Sequence, residues 1–126
     1  MKTSHLALAC LVGTCLAYAA VCVAEDAESS HKEMLKKLEF SKNILAGLTT
    51  QDFDSITKNA QALNELGKKR WMENPSSGYR TQHQVFWFAN EALLDAAKEE
   101  NVDAATLAYT QMTFGCVNCH KELRKL

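Results

Sequence analysis

Close to the C-terminal end of the chain stands Cys116-Val117-Asn118-Cys119-His120, and no other stretch restricts the fold so tightly. Cys-x-x-Cys-His is the spacing of a c-type haem attachment site. Two thiols add to two neighbouring vinyl groups, and the next residue brings an imidazole beneath the iron. On a helix, positions i, i+3 and i+4 share a face, so Cys116, Cys119 and His120 are expected to point the same way. A redox dithiol would want a βαβ context, which the sequence pattern lacks. Half of a zinc site would want a second Cys/His pair, and none lies in 25–126. A chance pair of buried thiols is the remaining reading.

The opening of the chain bears on the same question. Lys2 gives a short positive start, and Leu6 to Val23 is an apolar run of 18 residues without charge. Cys22-Val23-Ala24 offers small residues where a signal peptidase reads, and Glu25-Asp26 begins a charged sequence. The pattern predicts a secretory signal over 1–24 with a mature domain over 25–126. Ala17-Tyr18-Ala19 is a second cleavage point. A retained anchor would sit at the lower limit of length for spanning, and a lipid anchor on Cys22 would follow an ill-suited Val21. Cleavage after Ala24 removes Cys10, Cys15 and Cys22 and leaves only the two motif cysteines of the original five. No structural disulfide can then coexist with haem attachment. Without Lys2, 13 Lys and Arg face 15 Asp and Glu, a formal charge of −2. That balance argues against nucleic acid as a partner. A mature chain of about 100 residues is one domain with room for a core.

The mature composition is helical, with one proline, Pro75, and few glycines. Four amphipathic segments follow from apolar spacing. The first covers about Ser30 to Leu48, capped by Ser29 or Ser30, with Glu33 completing a capping box from Ser30 and Met34, Leu38, Ser41, Leu45 and Leu48 as its inner face. The second covers about Gln51 to Met72. Thr49 or Thr50 is its cap, and Phe53, Ile56, Ala60, Leu63, Leu66 and Gly67 are its apolar side. Lys68-Lys69-Arg70 near its end reads as helix-end solvation, or as a docking patch for an acidic redox partner. Asn74-Pro75-Ser76-Ser77-Gly78 is the clearest break.

The third segment covers about Tyr79 to Glu100. Its expected inner stripe is Val85, Phe88, Ala89, Ala92, Leu93 and Ala96. Phe86, Trp87 and Phe88 are consecutive and cannot all point inward. His83, between two glutamines, is expected to be exposed. The fourth starts at an Asp103 cap and runs to about Arg124. Tyr109, Met112, Thr113, Cys116, Cys119, His120 and Leu123 form its haem side, with Met112 at the haem edge. Leu107, Thr110, Phe114 and Val117 form the other side. Gly115 sits mid-helix at a cost, for which a macrocycle alongside is one reason. The expected fold is all-α: an antiparallel up-down-up-down four-helix bundle carrying one covalent haem c.

With these features, the sequence resembles the cytochrome c-prime superfamily. The resemblance is carried by the leader, four helices and the C-terminal Cys-Val-Asn-Cys-His-Lys-Glu-Leu-Arg. It spans the mature chain in outline and is specific only in the last helix. Arg124 matches the family's arginine four residues past the histidine, and Leu123 stands where the family has an aromatic. The family implies a periplasmic haem protein, often a homodimer packed through its first two helices; leader cleavage is expected to leave no membrane contact. It also places Arg124 near the ligand ring or a propionate.

The family divides on the sixth iron ligand, which here is Met34, no residue at all, or His31. Low-spin relatives bring a methionine from early in the first helix, where Met34 stands, and carry electrons. A register shift would put Leu35 there instead. Members with an apolar residue over the iron are five-coordinate and bind NO or CO. The expected function is a non-enzymatic, exported one-electron carrier that meets redox partner proteins. The alternative is a gas-binding protein with an open distal side.

Overall fold

The computed structural model describes residues 28–73 and 77–124. The expected signal segment 1–24 lies outside them, as do Asn74, Pro75 and Ser76 of the expected loop. Among the described residues the chain is all-helical, with four helices and no strand, compatible with a four-helix bundle. The first helix, α1, covers 28–50, followed by α2 (Phe53–Glu73), α3 (Ser77–Lys98) and α4 (Val102–Leu123). None of the described helices is long and apolar enough to cross a membrane. The chain divides after Leu35, and the hydrophobic core lies beyond that point.

α3 packs against both α2 and α4. Ile44, Ile56, Leu63, Leu93 and Met112 are fully buried between the helices, and each such side chain stabilises the fold by about 1.5–3 kcal/mol. The α2 stripe lies as its spacing predicts: Ile56, Ala60, Leu63 and Gly67 are buried, with Phe53 and Leu66 half-buried. Two other stripes differ from expectation. In α1, Leu38 and Leu45 are about half exposed, and Ile44 and Leu48 carry the buried face, with Phe40 packed beside them. In α3, Val85, Phe88 and Ala92 face solvent while Phe86, Ala89, Asn90 and Leu93 turn inward. Both helices carry apolar residues on more than one face. Their own spacing therefore permits two rotations about the axis, and packing selects one.

Helix ends also differ. α1 is already helical at 28, so Ser30 and Glu33 lie within it rather than at its cap. The cap of α2 is Asp52, whose Oδ1 accepts from Ser55 N–H at 2.9 Å. Thr49 and Thr50 instead turn their hydroxyls back to the carbonyl of Ala46. α4 is capped by Asn101, whose side chain accepts from Ala104 N–H at 3.0 Å, and Asp103 falls in its first turn. The residue after α1 and the residue two after α3 are left-handed: Gln51 and Glu100 both have φ 54°. In each case the next N–H reaches back five residues, Asp52 to the Gly47 carbonyl and Asn101 to that of Ala96, both at 2.9 Å. These are Schellman-type ends without the usual glycine. The left-handed region costs a side-chain-bearing residue about 1–2 kcal/mol. Glu100→Gly is therefore expected to stabilise the fold by about 1 kcal/mol, measured as a rise in the chemical-denaturation midpoint.

One polar chain crosses the core. The Asn90 side-chain amide donates to the Ala60 carbonyl at 2.8 Å and to Asn64 Oδ1 at 2.7 Å. Asn64 in turn donates to Glu91, which also accepts from Trp87 Nε1 at 3.1 Å. Asn90 is fully buried, so these bonds offset the cost of removing its amide from water. They also tie the rotation of α3 to that of α2.

Candidate functional site

Cys116, Cys119 and His120 lie in the last two turns of α4, on one side of the helix as their spacing requires. Both cysteines are half-buried free thiols, and Cys116 packs against the hydrophobic core. His120 is exposed. Burial pushes the Cys116 thiol above its usual pKa, and the neighbouring Cys119 adds to the rise. Cys119 is raised chiefly by burial. The positive charge of Lys37, on α1, opposes the rise at both sulfurs.

The elements around this end of α4 are fixed by close contacts. Gly115, beside Cys116, has the backbone of α3 against it. A Cβ added there would stand 3.0 Å from Phe86 Cα and 3.2 Å from Phe86 N. The missing side chain therefore serves the approach of α3, a reason for glycine here that residue order did not offer. One end further along, a Cβ at Gly78 of α3 would meet Glu122 Oε2 of α4 at 3.1 Å. Earlier in α4, Tyr109 Oη donates to the Ser41 carbonyl of α1 at 3.2 Å.

Met112, expected at the haem edge, is fully buried in the core one turn before Cys116. Arg124 is exposed, and its backbone N–H donates to the His120 carbonyl at 3.3 Å, closing the helix end. Met34 is half-buried in α1, ahead of the division after Leu35; Leu35 and His31 are exposed. Met34 does not share a buried stripe with Leu38 and Leu45, since both of those face solvent. Lys68 pairs with Glu65 at 3.1 Å on the surface. The side chains of Lys69 and Arg70 lie outside the described residues.

His83 was legible as a histidine but not as a buried one. Its exposure is only 7%, which overturns the expectation drawn from its glutamine neighbours. The signal was its position: four residues after Tyr79 and three before Phe86, it completes a stripe that continues through Asn90, Leu93 and Ala97, all buried. Its ring lies between those of Tyr79 and Phe86, with centroids 5.9 and 6.0 Å away. Gly67 of α2 leaves room for it, since a Cβ there would stand 3.4 Å from His83 Nε2. Burial lowers the His83 pKa below the ordinary histidine value, and the charge of Lys37 lowers it further.

The donor set suits a covalent haem. Two thiols and an imidazole occupy one helix face, and burial favours the protonated form of both thiols. Among the described residues no three His, Cys, Asp or Glu side chains gather into a metal cage of their own. Comparison with protein-family models, with curated proteins and with solved structures finds no match.

Proposed function

We propose that this chain is an exported c-type cytochrome of the c-prime kind, in which one haem held by the last helix carries single electrons between redox partner proteins. The observation that carries this is the face of α4: Cys116 and Cys119 are free, half-buried thiols beside the core, with His120 one residue on. Cys116 and Cys119 would hold the haem through two thioethers, each the addition of one S–H across one vinyl C=C with nothing lost. His120, one residue on, would hold the iron through a ring nitrogen. The bound haem supplies a one-electron Fe(III)/Fe(II) couple, whose potential follows from axial ligation, burial and hydrogen bonding.

The protein's part is to hold and to shield. Met112 and the side chains packed around it exclude water from the inner side of Cys116. Arg124 closes the helix that presents His120, and by resemblance its guanidinium would meet a propionate. An antiparallel up-down-up-down order is supported by the contacts between neighbours. Asn43 meets Asn59, Asn90 meets Ala60 while Gly67 meets His83, and Gly115 meets Phe86 while Gly78 meets Glu122. In the last two pairings the numbers rise along one helix as they fall along the other. Residues 1–24 would export the chain to the periplasm, leaving 25–126 as the haem domain. A homodimer through the first two helices is what the resemblance implies. Among the described residues the most exposed large apolar side chains lie elsewhere, on α3 and α4: Phe88 and Phe114 are each 65% exposed, and Leu107 61%.

A carrier is expected to be six-coordinate and low spin in both oxidation states, and to take up no CO in the ferrous form. Visible spectra of the dithionite-reduced and air-oxidised protein, before and after CO, test this. A high-spin protein that binds CO freely would make it a gas-binding cytochrome instead.

A further inference from the structure

We propose that the outer face of α4, flanked by α3, is where two copies of this chain pack antiparallel into a dimer. The dimer does not depend on haem attachment. Its first support is the spacing along α4. Asp103, Leu107, Thr110, Phe114, Val117 and Lys121 follow one another in steps of four, three, four, three and four, which keeps them on one stripe of a helix. The stripe faces away from the core. All six residues are exposed, while Ala105, Ala108, Met112 and Gly115 hold the buried side. The order of steps is the same read from either end. Laid against a second copy of itself in the opposite direction, the stripe sets Leu107 against Val117, Thr110 against Phe114 and Asp103 against Lys121, each pair occurring twice. A two-fold interface requires that self-complementarity. The acid at one end meets the base at the other, whereas a parallel arrangement would set like charges together.

Composition and area agree. No Asp, Glu, Lys or Arg stands at 81–90 of α3 or at 104–119 of α4, although such residues make up 23% of the chain. A helix face left to water carries charge, and the centre of a protein interface is depleted of it. α3 adds Val85 and Phe88, which with Ala89, Gln111 and Phe114 line an open groove of about 420 Å³ beside the stripe. Val85, Phe88, Leu107, Phe114 and Val117 are each about half exposed or more. Together they leave on the order of 500 Å² of apolar surface in water. A standard interface buries about 800 Å² per partner, a little over half of it apolar, so the face has the area a stable dimer needs. A dissimilar partner would not require a stripe that reads alike in both directions, which makes a second copy the occupant. The face also differs from the first two helices, where the resemblance would put a dimer.

Sedimentation equilibrium on the purified protein, with intact mass read in parallel, tests the interface. The unmutated protein is expected to show twice the mass of its chain. Phe114→Glu, at an exposed position, should give a monomer at the same concentration with its helical circular dichroism unchanged. Asp103→Lys and Lys121→Asp should each weaken the dimer by about tenfold, and the two together should restore it. Leu38→Glu/Leu45→Glu, on the exposed side of α1, should leave the dimer intact. Should Phe114→Glu fail to accumulate, the charge exchange decides alone. A monomer at every concentration overturns the proposal, whether the face stays bare or is covered by uncleaved residues 1–24 of the same chain. A dimer that survives Phe114→Glu overturns it, as does one that the α1 variant dissolves. A single charge change without effect, or a double exchange that restores nothing, overturns the antiparallel pairing.

Discussion

Replacing Cys116 and Cys119 together by Ala is expected to abolish covalent haem, while either replacement alone should leave one thioether and a coloured chain. The expectation follows from the free state of both thiols and from their spacing of one helical turn, which lets two sulfurs reach two neighbouring pyrrole edges. Cys116 is the more deeply held, packed against the core beside Gly115. Its loss should therefore leave the haem less well ordered than loss of Cys119. Intact mass on each variant reads the outcome directly. The unmutated chain is expected to carry the haem mass, and so is each single variant. The double variant is not. Haem retained covalently by the double variant would show attachment through another group.

The largest effect on stability is expected at Gly115→Val. At an ordinary mid-helix position, replacing glycine gains up to about 1 kcal/mol in helix propensity. At Gly115 the first added carbon already stands 3.0 Å from Phe86 Cα and 3.2 Å from Phe86 N. Those are backbone atoms of the facing helix, so no side chain can swing aside. The two γ-methyls of valine would force α3 and α4 apart along the seam that also buries Phe86 and Met112. Overpacking of this kind costs about 1–3 kcal/mol, occasionally more, and outweighs the propensity gain. A loss of about 3 kcal/mol is expected by urea denaturation, enough to matter in a domain whose total stability is about 5–15 kcal/mol. An unchanged midpoint would mean that the α3–α4 approach is looser than the contacts indicate.

What could be read from residue order alone followed from how one-sided each helix is. α2 carries Ile56, Ala60, Leu63 and Gly67 on one side and charges on the other, and that side is buried. α1 and α3 are less decided. Ile44 and Leu45 are neighbours of equal hydrophobicity, yet one is fully buried and the other about half exposed. Val85, Phe86 and Phe88 offer the same ambiguity, which contact with Gly115 resolves in favour of Phe86. Gln51 and Glu100 adopt a conformation usually signalled by glycine, so the two Schellman-type ends left no trace in composition. The three-residue face of Cys116, Cys119 and His120 was legible because its chemistry dictates spacing. His83 was missed because its sequence neighbours are polar, although its partners at four and three residues on either side are Tyr79 and Phe86.

The central claim is that the last helix holds a haem through two carbon–sulfur bonds. Acid acetone tests it most directly, because it unfolds the protein and dissolves any haem held only by coordination or packing. The purified, unmutated protein is expected to precipitate coloured, with the solvent clear. Haem passing into the acetone, with a colourless precipitate, would contradict the account at its root.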